Sequence, residues 1–160
     1  MKKILITGAC GQIGTELTHT LRKLYGVENV VATNIRRGSS ETVENEGIFE
    51  ELNVTDYNRM LELVKKYEID TIMNLAALLS AVGEKNPQLL WDVNMNGLYN
   101  CLEVARETGA MVFTPSSIAA FGPSTPADLT PQDTIQRPTT IYGVSKVAGE
   151  LLCDYYFNKF

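Results

Sequence analysis

One histidine, His19, and three scattered cysteines are the only imidazole and thiol metal ligands in this 160-residue chain. A lone histidine cannot assemble a metal site without further ligands beside it. His19, between Thr18 and Thr20, therefore reads as an ordinary helix residue. Cys10, Cys101 and Cys153 are odd in number and form no C-x-x-C pair, which argues against a disulfide framework and fits thiols kept reduced in a cytoplasm. Basic residues are also scarce: 14 Lys and Arg stand against 19 Asp and Glu, a net charge of −5. The adjacent basic pairs, Lys2-Lys3, Arg22-Lys23, Arg36-Arg37 and Lys65-Lys66, lie in no longer basic run. Nucleic-acid affinity rests on Lys and Arg neutralising phosphates, so a polyanion partner is not expected. No apolar run approaches the ~20 residues that cross a bilayer. After Met1-Lys2-Lys3, the short run Ile4-Leu5-Ile6 meets Gly8 and Gly11 before the apolar core of a signal peptide can form. The expectation is a soluble cytoplasmic chain with a small-molecule partner, no membrane, no nucleic acid and no metal.

What is present alternates. Short β-rich apolar runs fall at residues 3–7, 29–33, 48–52, 71–75 and 110–114. Between them lie helical periodicities: residues 12–25 carry Ile13, Leu17, Leu21 and Leu24 on one stripe, and a second helix follows Thr55 or Asp56 to about residue 67. Asn86-Pro87 starts a long helix to about residue 108, since proline is tolerated in a first turn. Residues 140–160 are helical again. The polar stretch 36–47 reads as loop, and residues 119–140, with Pro123, Pro126, Pro131 and Pro138, form a long segment without clear period. Loops of that length in a compact domain are usually functional or disordered. Strands alternating with helices imply a parallel sheet covered on both faces. The fold class expected is α/β, one doubly wound Rossmann-type domain over residues 1–160, with five strands in the order 3-2-1-4-5.

The first strand runs into Gly8-Ala9-Cys10-Gly11-Gln12-Ile13-Gly14 and then a helix. In that context Gly8 permits the tight turn, Gly11 lets the backbone approach a pyrophosphate, and Gly14 lets helix and strand pack closely. The helix N-terminus offers unpaired N–H groups and partial positive charge to phosphates. Cys10 inside the loop reads as a small inward filler. The second strand ends at Asn34, about twenty residues past Gly14, where an acidic residue normally takes the adenosine ribose hydroxyls. Asn34 brings no charge to repel a 2′-phosphate, and Arg36 and Arg37 follow at once. NAD is the expected cofactor, with NADP left open by these three residues.

Tyr142 and Lys146 are four apart on a helix and so share a face. An ammonium beside a phenol favours the phenolate, lowering a tyrosine pKa from about 10 toward working pH, as a general base for alcohol oxidation requires. Ser116-Ser117, just past a strand end, and Leu75-Ala76-Ala77 both arrive at the edge where ligands bind in parallel sheets.

Together these residues resemble the N-terminal half of an extended short-chain dehydrogenase/reductase, the group that holds nucleotide-sugar epimerases and dehydratases. The resemblance rests on Thr7-Gly8-x-x-Gly11-x-x-Gly14, Asn74-Leu75-Ala76-Ala77, Ser116-Ser117-x-x-x-Phe121-Gly122 and Tyr142-Gly143-x-Ser145-Lys146. Within the group the chain is most similar to the short-chain type of L-threonine 3-dehydrogenases, through residues 77–87, Val93-Asn94-Met95-Asn96-Gly97, Phe121-Gly122-Pro123 and the stretch from Ile135 to Val144. That likeness implies Tyr142 as base, Lys146 lowering its pKa and binding the nicotinamide ribose, and Ser117 orienting the substrate hydroxyl. It places Ser80 against an amino-acid substrate and Asn94 in support of the active site. It also implies a cofactor site of Gly8, Gly11, Gln12, Ile13, Gly14, Asn34, Ile35, Arg36, Asn53, Val54, Leu75, Ala76, Ala77, Asn94, Tyr142 and Lys146. The activity implied is NAD-dependent oxidation of L-threonine to 2-amino-3-ketobutyrate. The alternatives are a nucleotide-sugar epimerase or dehydratase and a non-catalytic NAD(P)-binding module.

Asn34 and Asn53 depart from the group, which usually has Asp at both positions. Such enzymes are also about twice this length. The expectation is therefore a nucleotide-binding half, inactive alone, with the fifth strand as a bare edge at Met111-Val112-Phe113. Apolar residues of the last helix, with Trp91 in the helix before, suggest a homodimer through helices 87–108 and 140–160, as the family pairs them.

Overall fold

The computed structural model describes residues 2–160. Its five strands form one parallel sheet in the order β3-β2-β1-β4-β5. Strand β1 (Ile4–Thr7) lies at the centre, with Ile4 opposite both Val30 of β2 (Val30–Asn34) and Thr71 of β4 (Thr71–Asn74). All four β1 residues are buried, as expected for a strand covered on both faces. Side chains alternate between those faces. Leu5, Val31 and Ile72 join a core with Met60, Leu63, Val64, Cys101 and Val104. Ile4, Ile6, Val30 and Ala32 join a second core with Leu21, Val43 and Phe49.

Helix α1 (Gln12–Tyr25) crosses from β1 to β2. Beyond β3 (Phe49–Glu51), helix α3 (Tyr57–Lys66) is capped by the Asp56 carboxylate, which accepts from the Arg59 amide at 3.0 Å. The chain thus moves outward from β1 through β2 to β3, then returns to the other side of β1 as β4. That reversal opens a crevice at the carboxyl ends of β1 and β4, where open α/β sheets bind ligands.

Two expectations need correction. The stretch 36–47 is not all loop: Glu41–Asn45 form a short helix, α2. Propensity does not mark it because distant groups hold it. Val43 is fully buried, and the Arg22 guanidinium donates to the carbonyls of Val43 (2.8 Å) and Ile48 (3.0 Å). Glu44 also accepts backbone N–H groups from Gly38, Ser39 and Ser40. Nor is the helix after Asn86 uniform. It consists of α5 (Pro87–Trp91), a π turn at Asp92–Asn96, and α6 (Gly97–Thr108). A short preceding helix, α4 (Ser80–Gly83), was also unexpected; a Cβ on Gly83 would stand 1.9 Å from Leu90 Cδ1, so tertiary packing fixes it.

Strand β5 (Met111–Phe113) pairs only with β4, and Met111 and Phe113 are 54% and 53% exposed. The last helix, α7 (Ile141–Lys159), is capped by Thr140, whose hydroxyl accepts from the Gly143 amide at 3.0 Å. It packs on α6 through Leu98, Leu102 and Tyr156. Beside it, an apolar groove of about 580 Å³ opens between Met111, Ala105, Phe157 and Phe160.

Candidate functional site

The glycine loop is shaped by contacts no larger residue could make. Gly8 has φ +65°, and a Cβ there would meet the Ala76 amide nitrogen at 2.8 Å. A Cβ on Gly14 would stand 2.3 Å from the Gly8 carbonyl oxygen. The loop therefore sits directly against β4's exit, and α1 starts directly against the loop. Gly11 is the N-cap of α1 and supplies no side-chain cap, and the first turn holds no acidic residue. The orphan N–H groups of that turn and the helix dipole thus face an uncountered N-terminus. This chemistry fits a dinucleotide pyrophosphate.

Thr7 holds the two sides of the crevice in register. Its buried hydroxyl donates to Asn74 Oδ1 (2.8 Å) and accepts from the amides of Leu75 (3.2 Å) and Ala76 (3.1 Å). One step further, Asn94 clasps the backbone of Leu78: its Oδ1 accepts from the Leu78 amide at 2.8 Å and its Nδ2 donates to the Leu78 carbonyl at 3.1 Å. Asn94 lies at the middle of the π turn, a local irregularity often found where a helix serves a site. Helical spacing carries no sign of it.

Two cavities meet at Leu75, Ala76 and Ala77. One, about 260 Å³, runs from Gly8 and Gly11 past Asn34, Ile35, Asn53 and Val54. The other, about 300 Å³, continues to Asn94, Lys146 and Ser116. The shared wall brings the expected nucleotide residues and Lys146 into one continuous crevice. Gln12, Ile13 and Gly14 occupy the adjoining first turn of α1. Ser80, Ser117 and Tyr142 lie outside both linings.

Lys146 Nζ donates to the Pro115 carbonyl at 2.8 Å and stands 5.5 Å from the centroid of the Tyr142 ring. Burial lowers the Lys146 pKa below its ordinary value, because a low-dielectric surrounding disfavours the ammonium. Ser117 Oγ accepts from the Ala119 amide at 3.2 Å, opening a turn of 3-10 helix at Ile118–Ala120. The neighbouring Ser116 faces the Lys146 cavity and donates to Glu150, which also accepts from Gln136 Nε2 at 3.0 Å. Sequence reasoning brought Ser116 to this edge and Thr7 to the glycine motif without the bonds they make here, and it missed Glu150. Glu150 lies four residues past Lys146, on the same helical face, and that spacing was the available signal. Also unexpected is Glu84, whose carboxylate accepts from the Ile141 amide at 2.8 Å and so ties the α4 segment to the start of α7.

Past the end of β2, the two arginines part company. The Arg37 guanidinium donates to the Phe49 carbonyl at 3.0 Å and lies 4.8 Å from the Phe49 ring centroid, while its amide donates to Glu51 at 3.0 Å. Arg37 is thereby held to β3, which removes it from the pair expected to attract a phosphate. Asn53 Oδ1 accepts from the Thr55 amide at 3.1 Å, closing the turn into α3. Among the described residues, no group of three or more His, Cys, Asp or Glu could hold a metal ion, and no helix is long and apolar enough to cross a membrane.

Comparison with known proteins places this architecture. The family model for the NAD dependent epimerase/dehydratase family matches residues 4–160. The chain belongs to that family. Among other epimerase/dehydratase family members, an uncharacterized epimerase/dehydratase of Staphylococcus saprophyticus is 63% identical over 160 residues, which are all of this chain and 50% of the relative. The L-threonine dehydrogenase of Clostridium difficile superposes with a TM-score of 0.97 at 61% identity, covering 100% of this chain and 50% of that one. The holo form of a GalE-like L-threonine dehydrogenase from Cupriavidus necator gives 0.93 at 48% identity, over 98% of this chain and 51% of that one. The chain thus spans about half the length of the relatives it matches. A UDP-glucose 4-epimerase from Thermotoga maritima, at 22% identity and a TM-score of 0.89, shares the fold. The family, and the holo form among these neighbours, support NAD(P) binding.

Proposed function

We propose that this chain forms the cofactor-binding and proton-abstracting part of an NAD-dependent L-threonine 3-dehydrogenase. The observation that carries the reading is the desolvated Lys146, held on the Pro115 carbonyl beside the Tyr142 ring in a crevice continuous with the glycine loop. Likeness to L-threonine dehydrogenases at 61% and 48% identity supports the choice of substrate.

NAD+, when bound, would supply the acceptor for the hydride on C3 of L-threonine. The chain's own residues would do the rest. Tyr142 would take the proton of the C3 hydroxyl on its phenolic oxygen, leaving 2-amino-3-ketobutyrate. The Lys146 ammonium would favour the negative charge on that oxygen before the proton arrives. Ser117 would orient the hydroxyl, and Ser80 would touch the amino acid. Asn94 would keep the β4 exit in shape, and Gly8, Gly11 and the first turn of α1 would hold the pyrophosphate, with Gln12, Ile13 and Gly14 in that turn. Asn34, Ile35, Asn53 and Val54 would line the adenosine. We place the protein in the cytoplasm, working as a homodimer through helices 87–108 and 140–160. Exposed Leu89 and Tyr99 on the first segment and Leu151 and Tyr155 on the second support such a face.

The test is NADH absorbance on addition of L-threonine, run on the 160-residue chain and on the full-length S. saprophyticus relative in parallel. Turnover by the relative, lost in its equivalent of Tyr142→Phe, is the expected result. Binding of a UDP-sugar without threonine turnover would favour a nucleotide-sugar epimerase or dehydratase. Cofactor binding with no turnover of either substrate would favour a non-catalytic module.

A further inference from the structure

Resting on the cofactor reading above, we propose that the adenosine end of the site accepts a 2′-phosphate as well as a free 2′-hydroxyl, with Arg36 as the residue that holds the phosphate. Discrimination against phosphorylated dinucleotides usually comes from a carboxylate at the end of the second strand, which binds the ribose hydroxyls and repels the phosphate. Asn34 occupies that place at the end of β2 and lines the cavity leading from Gly8 and Gly11. An amide can hydrogen-bond a hydroxyl or a phosphate oxygen and carries no charge to exclude either.

The loop after β2 is fastened around Arg36. Asn34 Nδ2 makes a long 3.5 Å approach to the Arg36 carbonyl. Arg37 is held by Phe49 and Glu51, and Gly38, Ser39 and Ser40 donate their amides to Glu44. The Arg36 guanidinium, by contrast, is exposed and has no hydrogen bond or ion pair among the described residues. Arg36 follows directly on Asn34 and Ile35, which line that cavity, and a guanidinium matches phosphate geometry with two parallel N–H donors. The acid nearest in register is Glu51, opposite Asn34 across β2 and β3. One of its oxygens is engaged by the Arg37 amide, which binds it into the same fastened loop.

Calorimetric titration tests this without any turnover. The 160-residue chain is titrated with NAD+ and NADP+, and with ADP and its 2′-phosphorylated counterpart, which isolate the adenosine end. The expected result is dissociation constants within about tenfold of each other in each pair. In Arg36→Ala, the ratio of the phosphorylated to the unphosphorylated constant should rise by about tenfold or more, as for loss of a charge-assisted phosphate contact. Asn34→Asp should raise the same ratio by restoring the repelling carboxylate. Ratios cancel any general weakening of the fold, so a partly destabilised variant still reports. A wild-type preference for NAD+ above about 100-fold, or an unchanged ratio in Arg36→Ala, overturns the proposal. Binding of neither dinucleotide overturns it together with the cofactor reading. Near-equal binding of both, with no threonine turnover by the full-length relative, leaves it standing and removes only the threonine assignment.

Discussion

Strand β1 and strand β5 belong to the same parallel sheet and differ in almost everything else. Every residue of β1 is buried, both its edges are paired, and the loop it delivers is locked by Gly8, Gly14 and Thr7 against β4. Strand β5 has one partner, shows about half of Met111 and Phe113 to solvent, and borders an apolar groove closed on the far side by Phe157 and Phe160. The nucleotide side is thus specified to the level of single Cβ atoms. The β5 side keeps unpaired backbone and apolar surface that a sheet edge ordinarily pairs, covers or charges. Residues are fixed most closely where the glycine loop meets β4, and least closely along β5.

The sharpest way to break this comparison is to truncate one apolar residue on each side. Ile6→Ala, in β1, should destabilise the fold by about 3–4 kcal/mol, within the range for a fully buried large-to-small change. Phe113→Ala, in β5, should lie within about 1 kcal/mol. Urea unfolding followed by circular dichroism reads both. Equal losses would mean that β5 is as strongly built in as β1. Next in size is Gly14→Ala, whose Cβ would press on the Gly8 carbonyl. It should cost about 1–3 kcal/mol, as overpacking does, and weaken NAD+ binding by more than about tenfold, since helix and loop must separate.

Acid should loosen the ties of Glu50 on β3 and of Asp70 at the start of β1. Burial raises the Glu50 pKa, but hydrogen bonds from Lys66 and Tyr67 and the charges of Lys66 and Arg59 outweigh it, so the net direction is down. Asp70 is lowered as well: burial opposes the change, while bonds from Thr71 and the Lys3 amide overcome it. A carboxylate with a depressed folded pKa contributes stability that is complete above its unfolded value and is lost as pH falls through the folded one. Unfolding midpoints should therefore hold from neutral pH down to about 4.5 and drop below it, and Glu50→Gln should flatten that drop. A smaller effect is expected from Phe113→Lys: little change in stability, and less self-association by sedimentation, because a charge on an edge strand opposes pairing.

Much of this contrast is legible in the residues themselves. Continuous apolar runs mark a doubly covered sheet, and the glycine spacing between β1 and α1 marks the crevice. The strand order 3-2-1-4-5 expected for a Rossmann-type sheet is the one found. What stays hidden is held by tertiary contact. Helix α2 is polar in composition and exists because Arg22 reaches across to its carbonyls. The π turn that carries Asn94 has no proline or internal glycine to announce it, and its signature is the clasp on Leu78. Arg36 and Arg37 are indistinguishable as a dipeptide; only the Phe49 carbonyl and ring separate one from the other. Ser116 and Ser117 are adjacent, yet one faces the Lys146 cavity and the other caps a turn.

Hydrogen exchange of the 160-residue chain, with and without saturating NAD+, tests the central claim most directly: that the crevice between the glycine loop and the β4 exit is a built dinucleotide site. Slower exchange is expected at residues 8–15, 34–36 and 74–78 on cofactor addition, with residues 111–113 unchanged. No protection at the glycine loop, or protection confined to β5 and the end of α7, would contradict it.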